Sequence, residues 1–430
     1  MTVDVINFGC RLNIAEGEAI RNDWTGGDAV IINSCAVTAE AERQARQAIR
    51  RAARSGTRVY ATGCAVRLNP EKWAEIADVL PPRHDARPAV SGAGHARAFV
   101  EVQNGCDHDC TFCITRIARG PSRSLAPDAI VTAIRAVVDK GQQEVILTGV
   151  DLTSYEGGMA PLVARILRDV PDLPRLRLSS LDPAEVDAKL FDLIASEPRL
   201  MPHVHLSLQS GDDMVLKRMK RRHSRAQAID LVTRLKRTRP EIAIGADLIA
   251  GFPTETDAMF ANSRVIIDDC DIVFGHIFPY SPRPGTAAAK MPQVPPAIAK
   301  ARAAELRTAA TARKSAWLAA QVGTRARVLV ERNGTSGHAE NFAQVTLAPS
   351  TPGSLQTVRI SGTTGETLIA DASQHSAYPE LVEACPERLP QAGSRRGLSF
   401  LANRSRKKDK ASTSSAQTGV VSSACPGILA

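Results

Sequence analysis

GCDHDCTFC, residues 105–113, sets Cys106, Cys110 and Cys113 in the spacing C-x3-C-x2-C. Thiols this close can share one metal centre, because thiolates bind both zinc and iron–sulfur clusters. A structural zinc site takes four protein ligands, usually as two close pairs. Here no fourth cysteine lies nearby. The alternative is a four-iron cluster held by three thiolates, with one iron left open to another molecule. That arrangement is expected where a cluster performs chemistry instead of only carrying electrons.

The loop follows the strand-like run AFVEV (98–102), which opens a long alternation of strands and helices. Further strand candidates are EVILTG (144–149), RLRLSS (175–180), HVHLSL (203–208), IAIGADLI (242–249) and IVFGHIF (272–278). Between them lie helical runs. The first starts at Pro127, a favoured first helical position, shows Ile130, Ile134, Val137 and Val138 on one face, and stops at Gly141. About six β/α units predict an open or partial barrel instead of the closed eight-fold one.

Ahead of this segment one pattern occurs three times: VDVINFGC ends at Cys10, AVIINSC at Cys35 and RVYATGC at Cys64. After Cys35, Thr38 can cap a helix carrying Glu40 and Glu42 in its first turn, running to about Ser55 with Gly56 beyond it. Strand, helix, strand is the grammar of a parallel sheet, whose sites form outside the carboxyl ends of the strands. Cys10, Cys35 and Cys64 are therefore expected to converge. Three buried thiols would be the plainer reading, but chance rarely ends three consecutive strands with the same residue.

The composition is that of a globular protein, 43% hydrophobic and 23% charged. No secretory signal and no run of about 18 apolar residues is present, so a cytoplasmic protein without a membrane partner is expected. Nine cysteines, an odd number, then read as ligands or buried thiols before disulfides. The net charge is +9, and the stretch from Lys217 to Arg239 holds ten Lys or Arg against Asp230. A second basic run, Arg43, Arg46, Arg50, Arg51, Arg54 and Arg58, follows Cys35. Either run could be a solvated helix face. Two of them flanking cysteine-rich segments point to a nucleic-acid partner.

Residues 296–320 read as a connecting helix. RARVLVE, FAQVTL, TVRI and ETLIA, between Thr324 and Asp371, predict a small barrel. That barrel balances Arg325, Arg327, Arg332 and Arg359 against Glu331, Glu340, Glu366 and Asp371, so net charge alone cannot hold RNA to it. The tail, RRGLSFLANRSRKKDKASTSSAQTG included, reads as disordered. Cys385 and Cys425 there are not expected to be ligands, and Cys270 reads as a core thiol.

C-x3-C-x2-C at a strand end, with Phe112 before the last cysteine, resembles the radical S-adenosylmethionine (SAM) signature. With Cys10, Cys35 and Cys64 ahead of it and a small barrel behind, the chain resembles the methylthiotransferase family over nearly all of residues 1–371. Supporting blocks are FGCRLN, INSCAVTAEAERQARQAIRRA, ATGC, ARGPSRS, VILTGVDL, RLSSLDP, HLSLQSGDDMVLKRMKRRH, DLIAGFPTET, FPYSPRPGTAA and GHAENFAQV. The resemblance implies an α/β fold in four parts. These are an open parallel N-terminal domain (1–92), a radical SAM partial (β/α)6 barrel (93–322), a TRAM-like β-barrel (323–372) and a tail (373–430). The separations from Cys10 to Cys35 and from Cys64 to Cys106 are short for the family, as if peripheral elements were trimmed.

The resemblance further implies two [4Fe-4S] clusters, one on Cys106, Cys110 and Cys113 that binds SAM, and an auxiliary one on Cys10, Cys35 and Cys64. Phe112, Thr148, Gly149, Ser179, Ser180, Ser207, Gln209 and Asp247 would border SAM and substrate. The implied partners are the anticodon loop of tRNA, an electron donor such as flavodoxin or ferredoxin, and a sulfur source. FGCRLN and CAVTAEAER look most like the branch that methylthiolates threonylcarbamoyladenosine at tRNA position 37. Isopentenyladenosine, a ribosomal protein side chain or a non-catalytic RNA-binding role are the competing readings. The C2–H of adenine is too weak an acid for a side-chain base at neutral pH, so radical abstraction meets a physical need. Phe342 could stack on a base or fill the small barrel's core.

Overall fold

Strands Val3–Asn7, Ala29–Ser34 and Arg58–Gly63 pair in parallel, in sequence order, with the short strand Asp78–Val79 beyond them. The computed structural model describes residues 3–83, 86–92 and 94–371. Parallel strands need crossovers, and helices Arg11–Asp23 and Ala39–Arg54 supply them. The second helix starts where Thr38 Oγ1 accepts from the Ala41 N–H at 3.1 Å, and it carries Glu40 and Glu42 in its first turn. It ends at Ser55, with Ala41, Ala45 and Ile49 buried against the sheet. Because every strand runs the same way, all three cysteine-bearing ends emerge at one edge.

All six strand candidates of the middle segment form: Ala98–Glu101, Glu144–Thr148, Arg175–Leu178, His203–Gln209, Ala243–Ala250 and Ile272–Pro279. The first three pair in parallel, as do the last three. A bridge between Leu181 and Leu206, through Leu181 N–H to His205 O and Ser207 N–H to Leu181 O (both 2.9 Å), joins the halves. The first and sixth strands do not pair with each other, so the barrel stays open. Helix Pro127–Val138 buries Ile130, Ile134 and Val137, and Cys270 is buried in the same core. Helix Pro296–Ala319 closes over the last strand, where a Cβ on Gly275 would lie 2.8 Å from Ala310 Cβ.

The C-terminal strands Arg325–Val330, Ser336–His338, Gln344–Thr346, Leu355–Thr363 and Leu368–Ala370 close into a barrel. Ser336–His338 escaped the sequence reading because it is three residues long and centred on a glycine. This barrel is bolted to the core by buried arginines. Arg177 donates to the carbonyls of Glu340 and Ala339 (2.8 and 2.9 Å), and Arg175 to that of Arg327. Glu144, wholly buried, neutralises Arg97, Arg175 and Arg177 at 3.0, 3.5 and 2.9 Å. That triple pairing outweighs burial and holds its carboxyl down at about 2.

Phe342 is part of this bolt. Its ring lies 4.9 Å from that of His203 and 4.8 Å from that of His338, with Arg97 and Arg177 guanidiniums over it. It is neither a free stacking platform nor the barrel's core, which consists of Val328, Val330, Val345, Ile360 and Leu368 among others. No helix among the described residues is long and apolar enough to cross a membrane. The tail with Cys385 and Cys425 lies outside the described residues.

Candidate active site

The carboxyl ends of the N-terminal sheet and of the open barrel face one cavity of about 390 Å³. Cys10, Cys35, Cys64, Cys106, Cys110 and Cys113 all line it. So do Phe112, Thr148, Gly149, Ser179, Ser180, Ser207, Gln209 and Asp247. Both thiol triplets and the eight residues expected to border SAM and substrate therefore reach the same space. The six thiols are free.

Glycines turn two of the cysteines inward. Gly9 has φ +97°, and a Cβ there would lie 2.8 Å from both Cβ and Sγ of Cys35, so only glycine lets these two strand ends approach. Gly105 has φ +73°, and a Cβ would strike the Pro121 carbonyl oxygen at 1.9 Å. The loop is then fixed by Cys106 N–H to Gly120 O (3.1 Å) and Thr111 N–H to Met219 O (3.1 Å). Gln103 ties it to the next strand end: its amide donates to Gly105 O at 2.6 Å and accepts from the N–H groups of Val150 and Asp151. Phe112 points one edge into an apolar cluster, 6.3 Å from the Phe252 ring.

Each triplet has its own arginine, and neither was singled out as a site residue from sequence. Arg119, buried, donates through Nε to Cys64 Sγ at 3.1 Å. Its other nitrogens reach Glu16 (2.8 and 2.9 Å), Asn13 (2.6 Å) and Asn104 (3.0 Å). Arg221 reaches Cys110 Sγ at 3.6 Å, Asp182 at 2.9 Å and Ser207 O at 2.8 Å. Burial would raise the Asp182 carboxyl, but His223, 3.7 Å away, and the bond from Arg221 outweigh it and hold it at about 2. Arg119 lies in ARGPSRS and Arg221 in KRMKRRH, yet nothing in a string of basic residues tells which one turns inward.

The structure divides the Lys217–Arg239 run between buried and exposed positions. Arg221 is a cavity residue, Arg239 donates to the Ile194 and Leu200 carbonyls (both 2.8 Å), and Arg222, Arg225 and Lys236 pair with Glu185, Asp269 and Asp271. Lys217 and Arg237 stay exposed, so only part of that charge faces a phosphate backbone. On the small barrel, by contrast, exposed Arg325 and Arg359 sit opposite each other across paired strands beside exposed Arg327. Its acidic counterpart Glu331 is turned towards Arg97 and His338.

The donor set fits iron–sulfur chemistry. Desolvation pushes the Cys10 and Cys110 thiols up and those of Cys35 and Cys106 to about 12, so these four sulfurs stay neutral until a metal displaces the proton. Cys10 is exposed and lines the cavity. N–H donors on Cys64 and Cys110 then suit sulfurs that carry negative charge in a cluster.

Residues 100–264 match the model of the Radical SAM superfamily, and residues 2–80 that of the Uncharacterized protein family UPF0004. A Rickettsia prowazekii protein named threonylcarbamoyladenosine tRNA methylthiotransferase MtaB is 44% identical, over 80% of this chain and 91% of that one. A Thermotoga maritima protein of the same name is 30% identical over 86% and 96%. An Erythrobacter litoralis tRNA-2-methylthio-N(6)-dimethylallyladenosine synthase is 30% identical over 77% and 87%. Among solved structures, the radical SAM methyltransferase TsrM from Kitasatospora setae aligns at 15% identity and TM-score 0.46, covering 65% of this chain and 66% of that one. Two thiol triplets on one cavity, both family matches and relatives that cover nearly their whole length lead to one assignment: this chain belongs to the radical SAM tRNA methylthiotransferases, enzymes of SAM and [4Fe-4S] clusters.

Proposed function

We propose that the protein adds a methylthio group to C2 of N6-threonylcarbamoyladenosine at position 37, in the anticodon loop of tRNA. The observation that carries the chemistry is the meeting of six thiols, in two triplets, on one cavity. The substrate rests on the 44% identical relative and its name.

In this reading Cys106, Cys110 and Cys113 hold the cluster that binds SAM, and Cys10, Cys35 and Cys64 hold the second. The bound groups supply one-electron cleavage of SAM and a sulfur source, chemistry that no side chain provides. The chain's own residues do the rest. Arg119 and Arg221 hold one sulfur of each triplet and offset its negative charge. Thr148, Ser179, Ser207, Gln209 and Asp247 line the space between the two sites and orient SAM and the base there. Placement within a few ångströms is the protein's main contribution. A loop base splayed out of its stack can enter such a pocket.

Arg325, Arg327 and Arg359 on the TRAM-like barrel, with exposed Arg50, Arg51 and Arg54 of helix Ala39–Arg54, form the backbone-binding surface. An electron donor of the flavodoxin or ferredoxin type and a sulfur source complete the cycle, in the cytoplasm. Nucleoside analysis of tRNA from a strain lacking the gene tests the substrate. Loss of the methylthio group from tRNAs reading codons that begin with A supports the reading. Loss from those reading codons that begin with U would instead assign the protein to the isopentenyladenosine branch.

A further inference from the structure

Three arginines line the cavity, and they are of two kinds. Arg119 and Arg221 are held by carboxylates, amides, carbonyls and sulfur. Arg11 is not. It is 5% exposed and lines the cavity, yet makes no hydrogen bond and no ion pair among the described residues. Its guanidinium lies over the ring of Phe342, 5.8 Å from the centroid.

The surroundings make this cation more anomalous. Arg11 is the first residue of helix Arg11–Asp23, whose first turn holds no acidic residue. The positive end of a helix dipole disfavours a cation. Arg97 and Arg177 lie close enough to repel it, and Glu144, the carboxylate nearest in effect, is already shared by Arg97, Arg175 and Arg177. At the seam with the small barrel, Arg97, Arg175 and Arg177 already share Glu144, and Arg97 also pairs with Glu331, so neither carboxylate is left for Arg11. A buried unpaired charge is costly, and a fold keeps one where an anion arrives from outside.

We propose that Arg11 receives the carboxylate of the threonylcarbamoyl group and is the specificity-determining residue for this substrate. The inference rests on the substrate reading above. A planar guanidinium suits a carboxylate because both oxygens can be engaged side by side. An isopentenyl group would leave the same cation desolvated against an apolar surface. Arg11 therefore both attracts the one substrate and rejects the other.

The test uses cluster-loaded full-length protein and two RNAs. One is tRNA carrying N6-threonylcarbamoyladenosine. The other is the same tRNA with that carboxylate converted to the neutral carboxamide. The readout is the ratio of kcat/KM for the two within each protein. Wild type should prefer the acid by about 10- to 100-fold, the range of a charge-assisted hydrogen bond. Arg11→Gln should bring the ratio to about one, whereas Arg11→Lys should keep part of the preference. A purely structural role would slow both substrates together and leave the ratio unchanged, which overturns the proposal. Equilibrium binding of the same two RNAs gives the ratio for a variant that does not turn over. Wild type that uses both RNAs equally well leaves the substrate reading standing and removes Arg11 from it. Wild type that uses neither, but accepts isopentenyladenosine tRNA, ends both.

Discussion

The two thiol sites offer the same three sulfurs but are built in opposite ways. Cys106, Cys110 and Cys113 sit on one short loop, so their proximity is written in the chain and needs only that the loop close. Cys10, Cys35 and Cys64 come from three strand ends and meet only when the parallel sheet is in register. The first site can survive local loosening. The second is a property of the folded sheet. Each also takes an arginine from far along the chain: Arg119 for Cys64 and Arg221 for Cys110.

The strongest way to break the comparison is to remove one thiol from each. Wild-type protein reconstituted without oxygen should hold about eight irons, and each single variant about four. Cys106→Ala should reduce SAM cleavage to background. Cys35→Ala should still release deoxyadenosine but transfer no methylthio group. Normal thiolation by the Cys35 variant would show that the N-terminal triplet is not a cluster site.

The next largest effect is on stability. Arg119→Met leaves Glu16 buried without its main partner, which costs about 3–5 kcal/mol, read by urea unfolding. Because Arg119 joins helix Arg11–Asp23 to helix Ile114–Arg119, which follows Cys113, iron should be lost from the N-terminal site first. Equal loss from both sites would contradict the difference in how the two are built.

Acid should sharpen the same contrast at the loop site. Asp182 is held at about 2, against an ordinary value of 3.8, chiefly by His223 and Arg221. A depressed carboxyl stabilises the fold above its unfolded value, and that contribution is lost as pH falls from 3.8 towards about 2. The difference amounts to about 2 kcal/mol. Asp182→Asn should lower stability at pH 7 by about that much and flatten the acid limb of the unfolding profile. An unchanged limb would mean that Asp182 does not support Arg221.

The smallest effect separates surface arginines from cavity arginines. Arg325→Glu with Arg359→Glu should weaken tRNA binding and reduce the slope of log affinity against log salt by about 0.7–0.9 for each phosphate no longer neutralised. Arg221→Gln should leave that slope alone, since its guanidinium faces Cys110 and Asp182. A slope change in the Arg221 variant alone would restore the Lys217–Arg239 run as an RNA surface.

Much of this was legible in the chain. Period-two and helical patterns placed all six strands of the open barrel, the helix Ala39–Arg54 and the strand-end positions of the six clustered thiols. The polar residues at strand ends could also be named, because parallel strands deliver their carboxyl ends to one edge. What the sequence could not assign were the partners of its arginines. Lys217–Arg239 looked like a solvated or RNA-facing run, yet Arg221 bonds Asp182 and Arg239 caps buried carbonyls. Phe342 gave no sign that it would lie between two histidine rings at the seam of barrel and core. Strand and helix periods arise from the local backbone, so the chain carries them in order. A guanidinium's role depends on which carboxylate, carbonyl or sulfur the fold brings within about 3 Å. For Arg119 and Asn13 that partner lies 106 residues away, and only the tertiary structure decides it.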